Sequence, residues 1–183
     1  MLISNNMSVY ITCFFLFFCT VLSFSQEQTL SLLKERFKSQ KVVYLSEKEH
    51  LNIVTKDNTY SVFSDVEWEM MYLTDQGQAY ADQSIYFSKF TEIKDIKALS
   101  FLPKSRSGTF KKVKVTKFET EDVFSNSYFF HDSKKIKFTF PGTEEGTKIK
   151  LSYREKIKDP RFLGQTFFIS FLPKVYSKYS VSF

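Results

Sequence analysis

The feature that most constrains this chain is an alternation of apolar and polar residues that begins at Lys41 and continues almost to the last residue. In its clearest stretch, VFSDVEWEMMYL, the apolar members stand at every second position: Val66, Trp68, Met70 and Tyr72. Successive side chains of a β-strand point to opposite faces, so a period of two predicts a strand with one buried and one wet face. We therefore expect Trp68 to lie in the core.

Other segments alternate in the same way and are separated by turn residues such as Asp57-Asn58. These segments are KVVYL, HLNIVTK, SIYFSKF, DIKALSFL, TFKKVKVTKF, KIKFTF, KIKLSYREKI, GQTFFISFL and VYSKYSVSF. Between residues 119 and 133 the pattern weakens and predicts a looser crossover. Short strands with turns about every 8 to 12 residues predict an all-β fold, an antiparallel β-sandwich of about nine strands. We expect KIKFTF and KIKLSYREKI to form a hairpin, and GQTFFISFL to form a strand with Phe167, Ile169 and Phe171 on one face.

The segment before the strands divides into two parts. Residues 1–25 contain no charged side chain, and Val9 to Phe24 is almost wholly apolar, which predicts a signal peptide removed after Ser25. An uncleaved membrane anchor is the alternative. Residues 26–40 are a short helix or linker, because three apolar residues share one helical face: Leu30, Leu33 and Phe37. Residues 41–183 are then the β-sandwich domain.

The residue inventory offers little chemistry. Both cysteines, Cys13 and Cys19, fall inside the predicted signal peptide, so the mature chain has no thiol nucleophile, disulfide or thiolate metal site. The pair His131-Asp132 lacks a nucleophile motif, and His50 lies too far along the chain to form a helical zinc motif with it. We therefore predict no catalytic residue, no metal site and no cofactor, and the binding residues are left unknown.

Two further patterns have ordinary explanations. The loop PGTEEGTK, from Pro141 to Lys148, lacks the spacing of a phosphate-binding loop and carries two glutamates that would repel phosphate, so we interpret it as a turn. The carboxylate pairs Glu67/Glu69 and Glu119/Glu121 could do acid–base work, although a solvated strand face is the commoner meaning.

The chain has a formal net charge of +6. This charge is compatible with an anionic envelope polymer or a lipid surface, but most lysines alternate with apolar residues, as on the wet face of a strand. Nucleic acid is not expected as a partner of an exported chain.

The order of several motifs resembles the family of domain of unknown function 3857 over about Lys41 to Phe183. The matching elements are Asp75-Gln76-Gly77, the turn from Pro103 to Gly108, Phe140-Pro141-Gly142 through Gly146 with Ile149, Leu151 and Tyr153, and the segment Phe167 to Val175. The resemblance implies an N-terminal β-sandwich that precedes a transglutaminase-like domain of papain type in envelope proteins of Bacteroidota and relatives. No catalytic residue of that second domain can be carried over to this chain.

These patterns lead to a functional hypothesis. The chain is expected to be a non-catalytic accessory module, exported to the periplasm or cell envelope, that orients or presents substrate to a downstream transglutaminase-like domain in cis or in trans. The alternative is a stand-alone periplasmic module that binds an envelope glycan or peptide. Because the alternation runs to Phe183, we expect the natural chain to continue, and after signal removal we expect no membrane span.

Overall fold

The computed structural model describes residues 29–57, 59–104, 109–123, 133–164, 166 and 168–183. These residues form one short helix, α1 (29–36), and nine strands. The strands are β1 (Val42–Lys56), β2 (Thr59–Tyr72), β3 (Asp82–Phe87), β4 (Thr91–Pro103), β5 (Phe110–Lys114), β6 (Glu119–Asp122), β7 (Lys134–Thr139), β8 (Lys148–Ile157) and β9 (Ser177–Ser182). Short 3-10 turns lie at Asp75–Tyr80 and Pro160–Phe162.

The strands form two sheets, which confirms the predicted all-β sandwich. The larger sheet has six strands in the order β5-β4-β8-β2-β1-β9, and the smaller has three in the order β3-β7-β6. All pairs are antiparallel except β1 and β9, which run parallel. The expectation of a purely antiparallel fold is therefore wrong at that edge. The chain reaches β9 by a long crossing from β8, so it can enter the edge in either direction.

The core lies between the two sheets, on what we call the inner face of the six-stranded sheet. Trp68 is 8% exposed, which confirms the alternation in β2. Its ring makes an edge contact with Tyr44 at 5.9 Å between centroids and a tilted contact with Phe140 at 5.8 Å. The smaller sheet contributes Phe138 and Ile85 to the same cluster.

The segments KIKFTF and KIKLSYREKI do not form the hairpin that their sequence predicts. The first is β7, in the centre of the small sheet, and the second is β8, between β4 and β2 in the large sheet. The loop between them carries the chain from one sheet to the other. Phe138 and Ile149 therefore reach the same core from opposite sides.

Strand β1 unites two predicted strands. KVVYL and HLNIVTK form one strand of 15 residues whose register shifts between Tyr44 and Ser46. An extra residue in one strand of a pair turns the following side chains to the other face. As a result, Glu47 and Glu49 lie opposite Trp68 and Val66, on the inner face.

Helix α1 covers one end of the outer face of the large sheet. Leu33 is buried against Val43, Met71 and Leu73, and Leu30 and Phe37 pack at the edge of this cluster, which confirms the predicted helical face. The alternation in EMMYL fails at Met71 because both faces of β2 are covered there.

Two predictions near the ends of the pattern are wrong. The weak region between residues 119 and 133 contains the short strand β6. The described residues of GQTFFISFL form no strand, and Ile169 is 90% exposed. Phe167 lies outside the described residues, as do the predicted signal peptide and the His131-Asp132 pair.

Candidate functional site

The described residues between 160 and 176, here called the strap, cross the inner face of the large sheet. Its underside is held by side chains: Thr166 Oγ1 donates to Glu49 Oε2 at 3.2 Å, and Lys174 Nζ pairs with Glu47. Leu172 packs against the core, and the Val175 amide donates to the Tyr44 carbonyl at 2.8 Å. These contacts anchor the strap at several points along its length.

The other side of the strap presents apolar side chains to solvent. Ile169 and Phe171 are almost fully exposed, and the remaining exposed members are Phe162, Leu163, Phe168, Val175 and Tyr176. Burial of one such side chain stabilises a protein by about 1.5 to 3 kcal/mol. Leaving these side chains exposed therefore gives up a large favourable contribution to the free energy of folding. Monomeric proteins rarely leave apolar groups together in this way unless another molecule covers them. We call this set the strap surface.

A polar cluster lies beneath the strap on the same inner face. Ser64 Oγ donates to Glu49 Oε1 at 2.7 Å, and burial together with the neighbouring Glu49 raises the pKa of Glu155. Burial also raises the pKa of Tyr153, with the charge of Glu155 adding to the effect. Burial therefore favours the protonated form of Glu155 on the inner face.

The histidine of β1 lies on the outer face in a network of hydroxyl groups. His50 Nδ1 is 3.0 Å from Ser180 Oγ, and His50 Nε2 is 3.1 Å from Ser182 Oγ. Opposite it, Asp65 accepts two hydrogen bonds from Arg154, at 2.6 and 2.8 Å, which hold the pKa of that carboxyl below its usual range. Because Asp65 is engaged by Arg154 and both ring nitrogens face serines, this arrangement does not form a triad, in which an acid orients the base.

Three of the four carboxylates singled out in the sequence, Glu67, Glu119 and Glu121, lie in ion pairs. A hydrogen bond from Lys150 lowers the pKa of Glu67, whereas Lys137 and Lys135 lower that of Glu121. A general acid at neutral pH needs a raised pKa, so these groups are unsuited to that role. They belong to the wet strand faces.

The Pro141 to Lys148 loop is a packed connector between the sheets. Gly142 and Gly146 have φ angles of 79° and 81°, a backbone region that glycine adopts without strain. The Glu145 amide donates to Asp75 Oδ1 at 2.8 Å, and the Glu145 carboxylate pairs with Lys34 of α1 at 2.8 Å. The loop thus joins the helix and the 3-10 turn to the sandwich and presents no phosphate cradle.

One groove of about 550 Å³ lies at the end of the small sheet. It is lined by β3, by β7 and by residues 113–117, where the chain leaves the large sheet. The Phe140 amide donates to the carbonyl of Ala81, the residue before β3, so the amide and carbonyl of the preceding Thr139 point away from β3. Hydroxyl, ammonium and carboxylate groups share the groove with Phe138 and Pro141.

The described residues contain no group of three or more His, Cys, Asp or Glu side chains arranged to hold a metal ion. The polar cluster under the strap has no sequence motif. Glu155 shares the two-residue period of Tyr153 and Ile157 and so lies on the inner face, whereas Glu49 reaches that face because of the bulge in β1. Within the same described part of the chain, no helix is long and apolar enough to cross a membrane.

This geometry defines a two-sheet β-sandwich domain with an exposed apolar strap. The chain belongs to the DUF3857 family, a domain of unknown function with a solved structure, whose signature matches residues 69–183. No curated protein matches the sequence. The family assignment confirms that part of the resemblance, whereas the transglutaminase link stays a prediction.

The solved structures with similar folds are distant. One is a "putative protease" from Parabacteroides distasonis, 17% identical, with a TM-score of 0.52 over 64% of this chain and 23% of that chain. This chain therefore spans about a quarter of the length of that protein, and the likeness shows the fold alone. Yeast LTA4 hydrolase with bestatin is 8% identical over 62% of this chain and 14% of that chain, with a TM-score of 0.33, too low to indicate a shared fold.

Proposed function

We propose that this chain is a non-catalytic accessory β-sandwich module of an exported protein, and that its strap surface docks it against a transglutaminase-like domain in cis or in trans. The observation that carries the proposal is the exposure of Ile169 and Phe171 on a strap whose underside is anchored. An anchored backbone holds these side chains outward, so they cannot reach the core without breaking the anchors. A second domain would remove them from water.

Two other findings support this role. The carboxylates singled out by the sequence, Glu67 and Glu121, are held in ion pairs with lysines that lower their pKa, as on an ordinary solvated strand face. The similar fold from Parabacteroides distasonis makes up about a quarter of a longer chain, so a sandwich of this kind occurs beside further domains. Placement in the periplasm or envelope follows from the apolar, uncharged residues 1–25.

Binding of a separately expressed transglutaminase-like domain, taken from the same or the neighbouring gene, tests the proposal. Isothermal titration calorimetry should show binding to the wild-type chain and at least about a tenfold loss for Ile169→Ser/Phe171→Ser, since two desolvated anchors contribute more than 1.4 kcal/mol. The control is Tyr60→Ser/Tyr86→Ser, which alters two exposed apolar residues outside the strap. Equal binding by all three proteins would contradict docking through the strap surface.

The stand-alone binding module is the second candidate, and the groove beside Thr139 favours it. A polar groove that offers backbone and side-chain hydrogen-bonding groups suits a glycan or an extended peptide. Titration with soluble muropeptides should then give binding that Ser84→Trp, which fills the groove, abolishes. If the chain binds muropeptides and ignores the transglutaminase-like domain, this candidate replaces the first.

A further inference from the structure

The outer face of the large sheet carries a field of lysines at its β5 end. In the register, Lys112 of β5 lies opposite Phe101 of β4, which lies opposite Lys148 of β8. The next row places Lys114, Leu99 and Lys150 side by side in the same three strands. Lys97 lies one row further along β4. We call these five lysines the lysine face.

Carboxylates neutralise only one edge of this face. Lys150 pairs with Glu67 at 3.0 Å, whereas no described carboxylate lies within ion-pair distance of the other four lysines: Lys97, Lys112, Lys114 and Lys148. The acids of the outer-face strands lie on β2 and in the first part of β4, as Asp65, Glu67, Glu69, Glu92 and Asp95. Positive charge is therefore left unbalanced on β4, β5 and the first part of β8.

The sheet fixes the spacing of these ammonium groups. Alternate residues along a strand lie about 6.8 Å apart, and strands two apart are separated by about 9.6 Å. Lys112 and Lys114 are separated along β5, and each lies two strands from a lysine of β8. Lys148 Nζ lies over the ring of Phe110 at 5.0 Å, which holds one charge in place. The result is a flat lattice of cations.

We propose that the lysine face binds a linear polysaccharide that carries regularly spaced carboxylates. A polymer of this kind presents an anion at each repeat, so several can meet the lattice at once. Half-buried Phe101 and Leu99 lie between the lysines and offer an apolar floor for sugar rings. The site goes beyond the proposed accessory function, because it lies on the opposite side of the sheet from the strap.

An anionic membrane is the other polyanion to consider, and the geometry disfavours it. Membrane-binding surfaces insert protruding apolar side chains below a ring of basic residues. On the lysine face, Leu99, Phe101 and Phe110 are half-buried in the sheet and do not protrude, in contrast to Ile169 and Phe171 of the strap. A flat cationic lattice matches a polymer strand that lies along the sheet.

The test measures binding of polygalacturonate to the full chain by biolayer interferometry at low and at physiological salt. The variant is Lys112→Gln/Lys114→Gln; both side chains are exposed and neither makes an ion pair within the described residues. We expect its affinity to fall about thirtyfold, since each of the two lysines contributes about 1 kcal/mol near an anionic surface. Salt should weaken wild-type binding because it screens exposed charges.

The matched control is Lys38→Gln/Lys111→Gln, which removes the same formal charge. Lys111 neighbours Lys112 on β5 and points to the opposite face, so this variant should keep wild-type affinity. An equal loss in both variants would mean that net charge alone drives binding and would overturn the site. The same conclusion follows if the chain binds phosphatidylglycerol vesicles and not polygalacturonate, or binds neither. Strap variants should leave polymer binding unchanged, which separates this result from the docking experiment.

Discussion

The strand around Trp68 and the strap around Ile169 are built from similar residues, yet the first lies in the core and the second in solvent. Strand β2 has neighbours on both sides and the small sheet above it, so its apolar face is covered. The strap crosses the sheet and touches it only through a few anchors, so its alternate side chains have nothing above them. An apolar pattern therefore predicts that a surface is buried, but it does not identify the segment or the partner molecule that buries it.

The largest effect is expected where the core is deepest. Trp68→Ala should lower the free energy of unfolding by about 3 to 5 kcal/mol, because the site is enclosed by Tyr44 and Phe140 and cannot collapse. Urea unfolding followed by circular dichroism measures it. Tyr60→Ala, at an exposed position, should stay within about 0.5 kcal/mol. A loss of similar size in both variants would mean that Trp68 is no more central than a surface residue.

The anchor of the strap should show an intermediate effect. The Lys174 side chain is only 9% exposed, and Lys174→Ala removes its ammonium from Glu47. We therefore expect the free energy of unfolding to fall by about 1 to 2 kcal/mol and the strap to be cleaved faster by proteases. The control is Lys178→Ala, which truncates an exposed lysine of β9. Unchanged proteolysis in Lys174→Ala would show that the ion pair does not hold the strap.

The pH dependence of Glu155 tests whether the strap shields what lies beneath it. Because burial raises its pKa, the folded chain binds this proton more tightly than the unfolded chain does. The contribution of the protonated Glu155 to the free energy of unfolding is present below its ordinary pKa of 4.5 and is lost as the pH rises through its raised pKa in the folded chain. Glu155→Gln should therefore be more stable than wild type at pH 7, and the difference should vanish below pH 4.5. A difference that does not vary with pH would contradict shielding.

The smallest effect on stability belongs to the exposed side of the strap. Ile169→Ser/Phe171→Ser should change the free energy of unfolding by less than about 0.5 kcal/mol, as for ordinary surface positions. The same variant should stay monomeric at protein concentrations at which the wild type self-associates, as measured by sedimentation velocity. Strong destabilisation would show that these side chains pack within the chain after all.

Much of the fold could be predicted from local patterns. The period of two located β2, and the helical spacing placed Leu33 on the face that packs against the sheet. The failures concern pairing between distant segments. β7 and β8 look like a hairpin because they are adjacent and joined by glycines, yet Phe138 and Ile149 must face each other across the core, which places the strands in different sheets.

The candidate surfaces were less accessible to sequence reasoning than the fold. A two-residue period continued from Val43 would place Glu49 on the outer face, and only the bulge after Tyr44 turns it inward. Lys112 and Lys148 are far apart in the chain, and their common face appears once β4 lies between β5 and β8. The alternation of side chains shows that a strand has two faces. The pairing register between strands decides which residues of different strands lie on the same face of the sheet.

The sequence by itself determined the all-β class, the burial of Trp68 and the lack of a thiol after Cys19, because these follow from side-chain period and residue inventory. Only the tertiary structure decided that β9 runs parallel to β1, that the Pro141 to Lys148 loop joins two sheets, and that Ile169 lies in solvent. The physical reason is that the local pattern determines which face of a segment is apolar, whereas contacts between distant segments decide whether that face is buried within the domain.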